Sequence, residues 1–496
     1  MTVGPRLTGA DFLLRPDTKG ASGRSARGIA WNVGTNFVGY GARLASIPVL
    51  ARLLTPDDYG LFTMVVAVTG LVAVVGTLGL SEAVIQAREL SHAQASNLFW
   101  INVGVSALLA VLTALMGPLL AVLYGRPEVA LITAVSASGF VITGLGVQHN
   151  ALMLRRLMHR QAAFRQLIAA LIGIAASIVA ALLGAGYWAL VLQLLVQYAA
   201  LVVMAWVAVP WRPGLPTRGA GIRGMLSFGS GVSVFQVVNY IGRNADNVLI
   251  GVVLGAGPLG LYGRAYSLLT APLQQIHTPV GVVIRPTLAA LWPEPERYRR
   301  HYVAVVRGMA YLCMPLVVMM AVLSDSVVLT LLGEQWVGSA EVFRWLAIVG
   351  FVQTVGFTNG WLYATSGRAW AWARWGLVSR TVDVVAFVIG INWGIVGVAI
   401  AYAAAESVLT PVGIWLAGRG TPVRLRDVRG AVWRPAVLSL VAGACGLAVL
   451  LLTDFAAAWQ TMVVGLFAGG LADVLLALAW PRCRRELLQM RQVLRR

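Results

Sequence analysis

Two arginines lie near the centres of long apolar runs, where a charged side chain is costly unless it faces a cavity or a partner. Arg43 lies in the run 29–50 and Arg243 lies in the run 226–253. A guanidinium presents a planar fork that matches phosphate oxygens, so two of them would suit a pyrophosphate. The alternative for Arg243 is an ion pair with Asp246, one turn away, that only stabilises its helix.

Three carboxylates, Asp246, Asp383 and Glu406, also lie inside apolar runs. Either they balance nearby arginines, or one of them binds a coupling Na⁺ or H⁺. Asp473, in the last apolar run, is expected to be structural.

Amide side chains at several points in the apolar runs are candidates to line a path for a polar substrate. Hydrogen bonds between helices are the competing interpretation of each. These candidates are Asn32, Asn36, Gln148, Asn150 and Asn239.

The elements that would position these residues are membrane-spanning helices. The chain is 58% hydrophobic and 11% charged, with a mean hydropathy of +0.78, which is too apolar for a water-exposed surface. About 20 apolar residues cross a ~30 Å hydrocarbon core. On that basis the sequence predicts fourteen spans: 29–50, 60–80, 98–122, 129–150, 164–183, 187–208, 226–253, 260–284, 303–323, 342–365, 376–391, 394–417, 435–453 and 459–480.

The basic residues predict the orientation. With the N-terminus inside, the inner loops and both tails hold 32 of the 38 Lys and Arg, and the outer loops hold Arg52 and Arg126. This split follows the positive-inside rule, so both termini are predicted to be cytoplasmic. It also explains the net charge of +19 by contacts with anionic lipid headgroups, so no nucleic-acid partner is expected.

The two halves of the chain repeat each other at a constant offset of 200 residues. Tyr40 and Tyr240, Arg43 and Arg243, and the triplets 60–62 (GLF) and 260–262 (GLY) are matched. An offset of six helices preserves orientation, which predicts two parallel six-helix repeats around a central cavity. The predicted organisation is a tail (1–28), an N-lobe (29–208), a basic linker (209–225), a C-lobe (226–417), a basic loop (418–434), an added helix pair (435–480) and a basic tail (481–496).

Several strings resemble the polysaccharide flippases, the Wzx/WzxC-type branch of the multidrug/oligosaccharidyl-lipid/polysaccharide (MOP) exporter superfamily. They are 51–62 (ARLLTPDDYGLF), 79–86 (GLSEAVIQ), 99–102 (FWIN), 246–251 (DNVLIG) and 260–266 (GLYGRAY). The resemblance implies an alternating-access carrier in the bacterial inner membrane. Its cargo would be undecaprenyl-pyrophosphate-linked oligosaccharide repeat units, flipped to the periplasmic leaflet for exopolysaccharide or O-antigen (lipopolysaccharide) synthesis. Polysaccharide polymerase and export machinery would be partners.

Other functions fit the sequence less well. A flippase for the peptidoglycan lipid precursor and a drug/cation antiporter of the same superfamily remain alternatives. A membrane polymerase or ligase would be expected to carry catalytic residues on a large outer loop, and the longest such loop, 324–341, has no basic residue. The chain is therefore predicted not to be an enzyme, and to need no metal or other cofactor beyond a coupling ion.

Overall fold

The computed structural model describes residues 13, 21–76, 84–85, 87, 89–219, 240–453 and 457–486, and these residues form helices and no strand. The helices are α1 (Ala21–Leu53), α2 (Pro56–Gly76), α3 (His92–Tyr124), α4 (Glu128–Arg155), α5 (His159–Leu182), α6 (Trp188–Ala208), α7 (described over 240–254), α8 (Ala256–Ala290), α9 (Pro295–Val322), α10 (Ser324–Leu331), α11 (Gly338–Gly356), α12 (Asn359–Thr365), α13 (Ala369–Gly390), α14 (Gly394–Gly418), α15 (Leu425–Leu452) and α16 (Ala458–Ala479).

The helices confirm a polytopic, all-helical membrane protein. Within the described residues, ten stretches are long and apolar enough to cross a bilayer, and one of them, Ala369–Gly418, contains both α13 and α14. The number of fourteen spans and the cytoplasmic position of both termini stay predictions. The outer segment 324–341, expected to be a loop, instead contains α10, a 3₁₀ turn at Glu334–Trp336 and the start of α11.

Local sequence signals set the helix ends. Ser91 and Gln94 form a capping box at the start of α3, each side chain bonding the backbone N–H of the other at 3.0–3.1 Å. The two shortest predicted breaks are confirmed as tight turns. Gly184 and Gly186 have φ of 77° and 54° between α5 and α6, and Gly394 has φ of 72° where α14 begins. Such positive φ values favour glycine.

The chain divides into two compact units, Met1–Gly257 and Pro258–Arg496. The sequence predicts a C-lobe that begins at 226, and this boundary between the lobes stays a prediction. The structure puts α7 in the first unit because α7 packs on α2. The Tyr240 hydroxyl donates to the Val66 carbonyl at 3.1 Å and leaves no room for a side chain at Gly70. Ala256, the first residue of α8, lies so close to Gly60 of α2 that no side chain fits between them.

In the first unit, α3 packs along α4, α5 along α6, and α1 against α5. At the predicted outer face, Arg126 in the α3–α4 turn donates two hydrogen bonds to Asp57 of α2, at 3.1 and 2.7 Å. This pairing with Asp57 raises the pKa of Arg126 above its ordinary value. The α3–α4 turn is therefore tied to α2 by a charge-assisted contact.

The segment that follows α6 is held against α3. Asn97 donates to the Thr217 carbonyl at 2.6 Å and accepts from the Thr217 N–H at 2.8 Å. Trp211 is buried, and its carbonyl oxygen lies 3.2 Å from Nε2 of His149 on α4. This part of the predicted linker is thus fixed to the first unit over residues 209–217.

In the second unit, α9 packs on α15, α14 lies between α11 and α13, and α15 pairs with α16. Large aromatic side chains fill its core, including Tyr298, Tyr302 and Trp361. At the α13–α14 turn, the backbones of Gly390 and Gly397 are in direct contact. A Cβ on either residue would therefore overlap the other residue's carbonyl. Small residues allow such close helix packing in membranes.

Candidate functional site

Arg43 and Arg243, the arginines predicted to contact phosphate, both lie on helices of the first unit. Arg43 is on α1 and Arg243 is on α7, and both side chains are exposed. Among the described residues neither guanidinium has an ion-pair partner. The sequence predicts both arginines at membrane depth, where a guanidinium is costly unless it meets water or an anion.

Arg243 does not form the ion pair with Asp246 that was its alternative role. Asp246 is buried, and its Oδ1 accepts a hydrogen bond from the backbone N–H of Asn247 at 2.8 Å. The proposed contact of Arg243 with substrate stays a prediction.

The second unit contains a buried polar network that joins three helices. On α13, Arg380 donates to Asp383 at 2.8 Å, and the Asp383 side chain is 0% exposed. On α14, Glu406 accepts from the Thr410 hydroxyl at 3.1 Å, and Tyr402 accepts from Gln353 of α11 at 3.0 Å.

Arg380 is the central charge of this network. Its guanidinium forms the ion pair with Asp383 and also interacts electrostatically with Glu406. One cation thus faces two carboxylates. Asp383 has its own ion pair, whereas the hydrogen bond that Glu406 accepts comes from the neutral hydroxyl of Thr410.

The two amide candidates on α4, Asn150 and Gln148, differ in their hydrogen bonding. Asn150 Oδ1 accepts a hydrogen bond at 2.5 Å from Arg165 of α5, which is itself buried. Gln148 is buried too, and its Nε2 has no partner within the described residues. Asn150 therefore has the helix-joining contact that the competing interpretation expects, while Gln148 retains a free donor.

The remaining amide candidates cannot be placed in the same way. Asn32 and Asn36 lie on α1, with side chains outside the described residues, and Asn239 lies wholly outside them. Their proposed contact with substrate stays a prediction.

Sequence reasoning missed Arg380 and Arg165 because it assigned both to cytoplasmic loops. Both lie within five residues of the start of a predicted span, 376–391 or 164–183, and were counted with the basic residues of the inner loops. The structure begins α13 at Ala369 and α5 at His159, so each arginine lies at least one helical turn inside its helix. One signal was present: Arg380 and Asp383 are three residues apart, the spacing of an ion pair on a helix.

Comparison with solved structures defines the class of protein. The structure is similar to "Lipid II flippase MurJ, inward closed conformation", with a TM-score of 0.71 and 12% identity over 90% of this chain and 98% of that chain. It is also similar to an inward-facing multidrug resistance MATE family transporter of the MOP superfamily, with a TM-score of 0.59 and 17% identity over 78% of this chain and 95% of that chain. At these identities the likeness shows the fold, which is that of MOP transporters.

The family is shown by the sequence. The model of the family described as "Polysaccharide biosynthesis protein" matches residues 49–341, and the chain belongs to this family. It is 24% identical over 424 residues to the lipopolysaccharide biosynthesis protein WzxC of Escherichia coli (strain K12), covering 84% of each chain. It is 24% identical over 453 residues to the teichuronic acid biosynthesis protein TuaB of Bacillus subtilis (strain 168), covering 90% of this chain and 94% of the relative.

A third relative is named as a transport protein. The chain is 24% identical over 322 residues to the succinoglycan biosynthesis transport protein ExoT of Rhizobium meliloti (strain 1021), covering 65% of each chain. These comparisons confirm the resemblance to polysaccharide flippases and the prediction that the chain is a membrane transporter, not an enzyme.

Proposed function

We propose that this chain is an alternating-access flippase for undecaprenyl-pyrophosphate-linked oligosaccharide repeat units. It moves them from the cytoplasmic to the periplasmic leaflet of the bacterial inner membrane for exopolysaccharide or O-antigen assembly. The observation that carries the proposal is the family match over residues 49–341 on a fold shared with a lipid II flippase. Relatives named for lipopolysaccharide and succinoglycan synthesis support a lipid-linked glycan as cargo.

The charges of the first unit favour an anionic cargo. Arg43 and Arg243 are exposed on α1 and α7 without an ion-pair partner in the described part of the chain. Guanidinium groups bind phosphate oxygens in a bidentate manner, so we assign both side chains to the pyrophosphate. A carrier of organic cations would require the opposite charge on the surfaces that contact its substrate.

The buried network supports coupling to protons. Arg380 supplies Asp383 with a fixed positive charge, which removes the need for a metal cation there. Glu406, held by Thr410, then exchanges the coupling proton, and Asp383 has the charge-balancing role.

The peptidoglycan lipid precursor is the second candidate cargo, because the solved structure with the TM-score of 0.71 is a lipid II flippase. Both cargoes carry a lipid pyrophosphate, so the arginines do not separate them. Polysaccharide polymerase or export proteins are the partners expected for the first cargo.

Complementation distinguishes these functions. The gene is deleted in its host and restored as wild type, Arg43→Ala, Arg43→Lys or Arg243→Ala at matched membrane levels. We expect the deletion and Arg43→Ala to lose surface polysaccharide and to accumulate lipid-linked repeat units, with partial recovery in Arg43→Lys, which keeps the charge but not the fork.

Arg429→Ala is the matched control, since Arg429 is an exposed arginine on α15, in the second unit. Unchanged polysaccharide in the deletion strain, with altered cell-wall synthesis or drug sensitivity instead, would contradict the proposed cargo.

A further inference from the structure

The chain after α16 folds back and buries a carboxylate. Residues 481–486 form a helical turn, and the Glu486 side chain is only 8% exposed. Three donors from two other helices converge on it. Arg434 of α15 and Arg307 of α9 both pair with Oε1, the latter at 3.6 Å, and the Tyr311 hydroxyl donates to Oε2 at 3.1 Å.

This cluster has more positive than negative charge. Two guanidiniums face one carboxylate, which leaves an excess of one positive charge in a largely buried place. Within the described residues, Nε of Arg307 and Nε of Arg434 are buried without a hydrogen-bond partner. Buried donors of this kind cost free energy until an acceptor reaches them. A phosphate, with more oxygens and a comparable charge, would satisfy more of these donors than one carboxylate does.

The depth of the cluster matches that of lipid headgroups. Trp433 and Trp480 contact each other edge to face, with ring centroids 5.9 Å apart, and the Arg434 guanidinium lies 5.0 Å from the Trp433 ring centre. Tryptophan is enriched at the membrane–water interface. The sequence predicts that this end of α15 is cytoplasmic, where anionic lipids give the leaflet its negative surface potential.

An apolar groove begins one turn from Arg434. It has a volume of about 370 Å³ and runs between α15 and α16. Positions 434, 437, 438 and 441 share one face of α15 by helical spacing, so the groove continues the arginine-bearing surface towards the bilayer centre. Its walls are the side chains of Val437, Leu438, Val441, Leu476, Ala479 and Trp480, together with Pro481, the first residue of the turn that carries Glu486.

We propose that Arg307, Arg434 and Tyr311 form a headgroup site for an anionic phospholipid, that the α15–α16 groove takes one of its acyl chains, and that Glu486 is a displaceable occupant of the headgroup site. The combination of a cationic site at interfacial depth with an adjoining apolar groove selects a phospholipid over a free anion. This site lies entirely in the second unit and does not depend on which glycan is carried.

Displacement of Glu486 has a built-in reporter. Cys483, three residues earlier on the same turn, is 0% exposed and packs with Leu438 and Ala477. When the turn leaves its place, Cys483 becomes accessible to a water-soluble maleimide. The Cys313→Ala and Cys445→Ala changes remove the other two cysteines of the chain.

The experiment measures the maleimide labelling rate of Cys483 for the full chain in nanodiscs. We expect about a tenfold faster rate in phosphatidylglycerol than in phosphatidylcholine, which corresponds to about 1.4 kcal/mol. Glu486→Gln should label fast in both lipids. The proposal would be overturned if the protein that retains Glu486 were labelled at equal rates in the two lipids. It would also be overturned if soluble glycerol phosphate accelerated labelling to the same extent in phosphatidylcholine nanodiscs.

Lipid retention provides a second measurement that does not depend on the tail. Native mass spectrometry counts phosphatidylglycerol bound to the monodisperse protein. The double variant Arg307→Gln, Arg434→Gln should lose bound lipid, Glu486→Gln should keep at least as much as wild type, and Arg429→Gln on the same helix is the control. Equal retention in the double variant and in Arg429→Gln would overturn the proposal.

Discussion

The ion pair between Arg380 and Asp383 should carry a large share of the stability of the second unit. Arg380→Met removes the partner of a carboxylate that is 0% exposed, whereas Asp383→Asn leaves a guanidinium that is still 30% exposed. Breaking a buried pair from one side costs about 3–5 kcal/mol, because the other charge stays desolvated. We therefore expect Arg380→Met to lower the free energy of unfolding by an amount in this range, and Asp383→Asn to lower it by less.

The double variant Arg380→Met, Asp383→Leu separates the ion pair from simple packing. Replacement of both partners by apolar side chains removes the buried Asp383 carboxylate together with its counter-charge and is often neutral, so the double variant should be more stable than Arg380→Met alone. The coupling energy from this cycle should exceed about 1 kcal/mol, which contacting residues can reach and distant ones do not.

The assay is reversible unfolding of the purified protein in mixed micelles of increasing SDS, followed by tryptophan fluorescence. Arg374→Met is the matched control, since Arg374 is exposed on the same helix. An Arg380→Met protein as stable as this control, or a double variant no better than the single one, would refute the assignment of Arg380 as the counter-charge of Asp383.

Three further outcomes follow from the contacts. Gly60→Val should destabilise the first unit at the upper end of about 1–3 kcal/mol, because a Cβ there overlaps the Ala256 carbonyl; thermal unfolding measures it, and a wild-type midpoint would argue against this close approach. Asn97→Ala removes two hydrogen bonds, worth about 1 kcal/mol each, to the segment after α6, and should speed its limited proteolysis; an unchanged cleavage rate would show that this clamp does not hold the segment. Glu406→Gln should abolish the response of transport to a pH gradient while Glu341→Gln, at an exposed site, keeps it; a retained response would move the proton site elsewhere.

The helical class and the short turns could be predicted because hydrophobic run length and glycine position are local signals. Helix ends were predicted less well. The structure extends α13 and α15 by seven and ten residues towards the predicted cytoplasm, to Ala369 and Leu425. Apolar run length marks the hydrocarbon core, whereas a helix continues through the headgroup region while its backbone bonds and caps are satisfied.

The candidate site was predicted in part for the same reason. Asp383 and Glu406 stood out as charges in apolar runs, but Arg380, close to the start of the run 376–391, was counted with the basic residues of the preceding inner loop. Which side chains meet also depends on tertiary packing, as with the contact between Asn150 and Arg165. The burial of Glu486 could not be foreseen, because a basic tail gives no sign of where it folds.

The most direct test of the central claim is the leaflet position of the cargo. Sealed right-side-out vesicles are prepared from cells with labelled lipid-linked repeat units, and membrane-impermeant periodate oxidises only the sugars on the outer face. We predict that a large fraction of the lipid-linked sugars is oxidised in wild-type vesicles. In vesicles from the deletion strain and from Arg43→Ala, the oxidised fraction should stay near background. Equal oxidised fractions in the wild type and the deletion strain would contradict the claim that this chain flips the lipid-linked glycan.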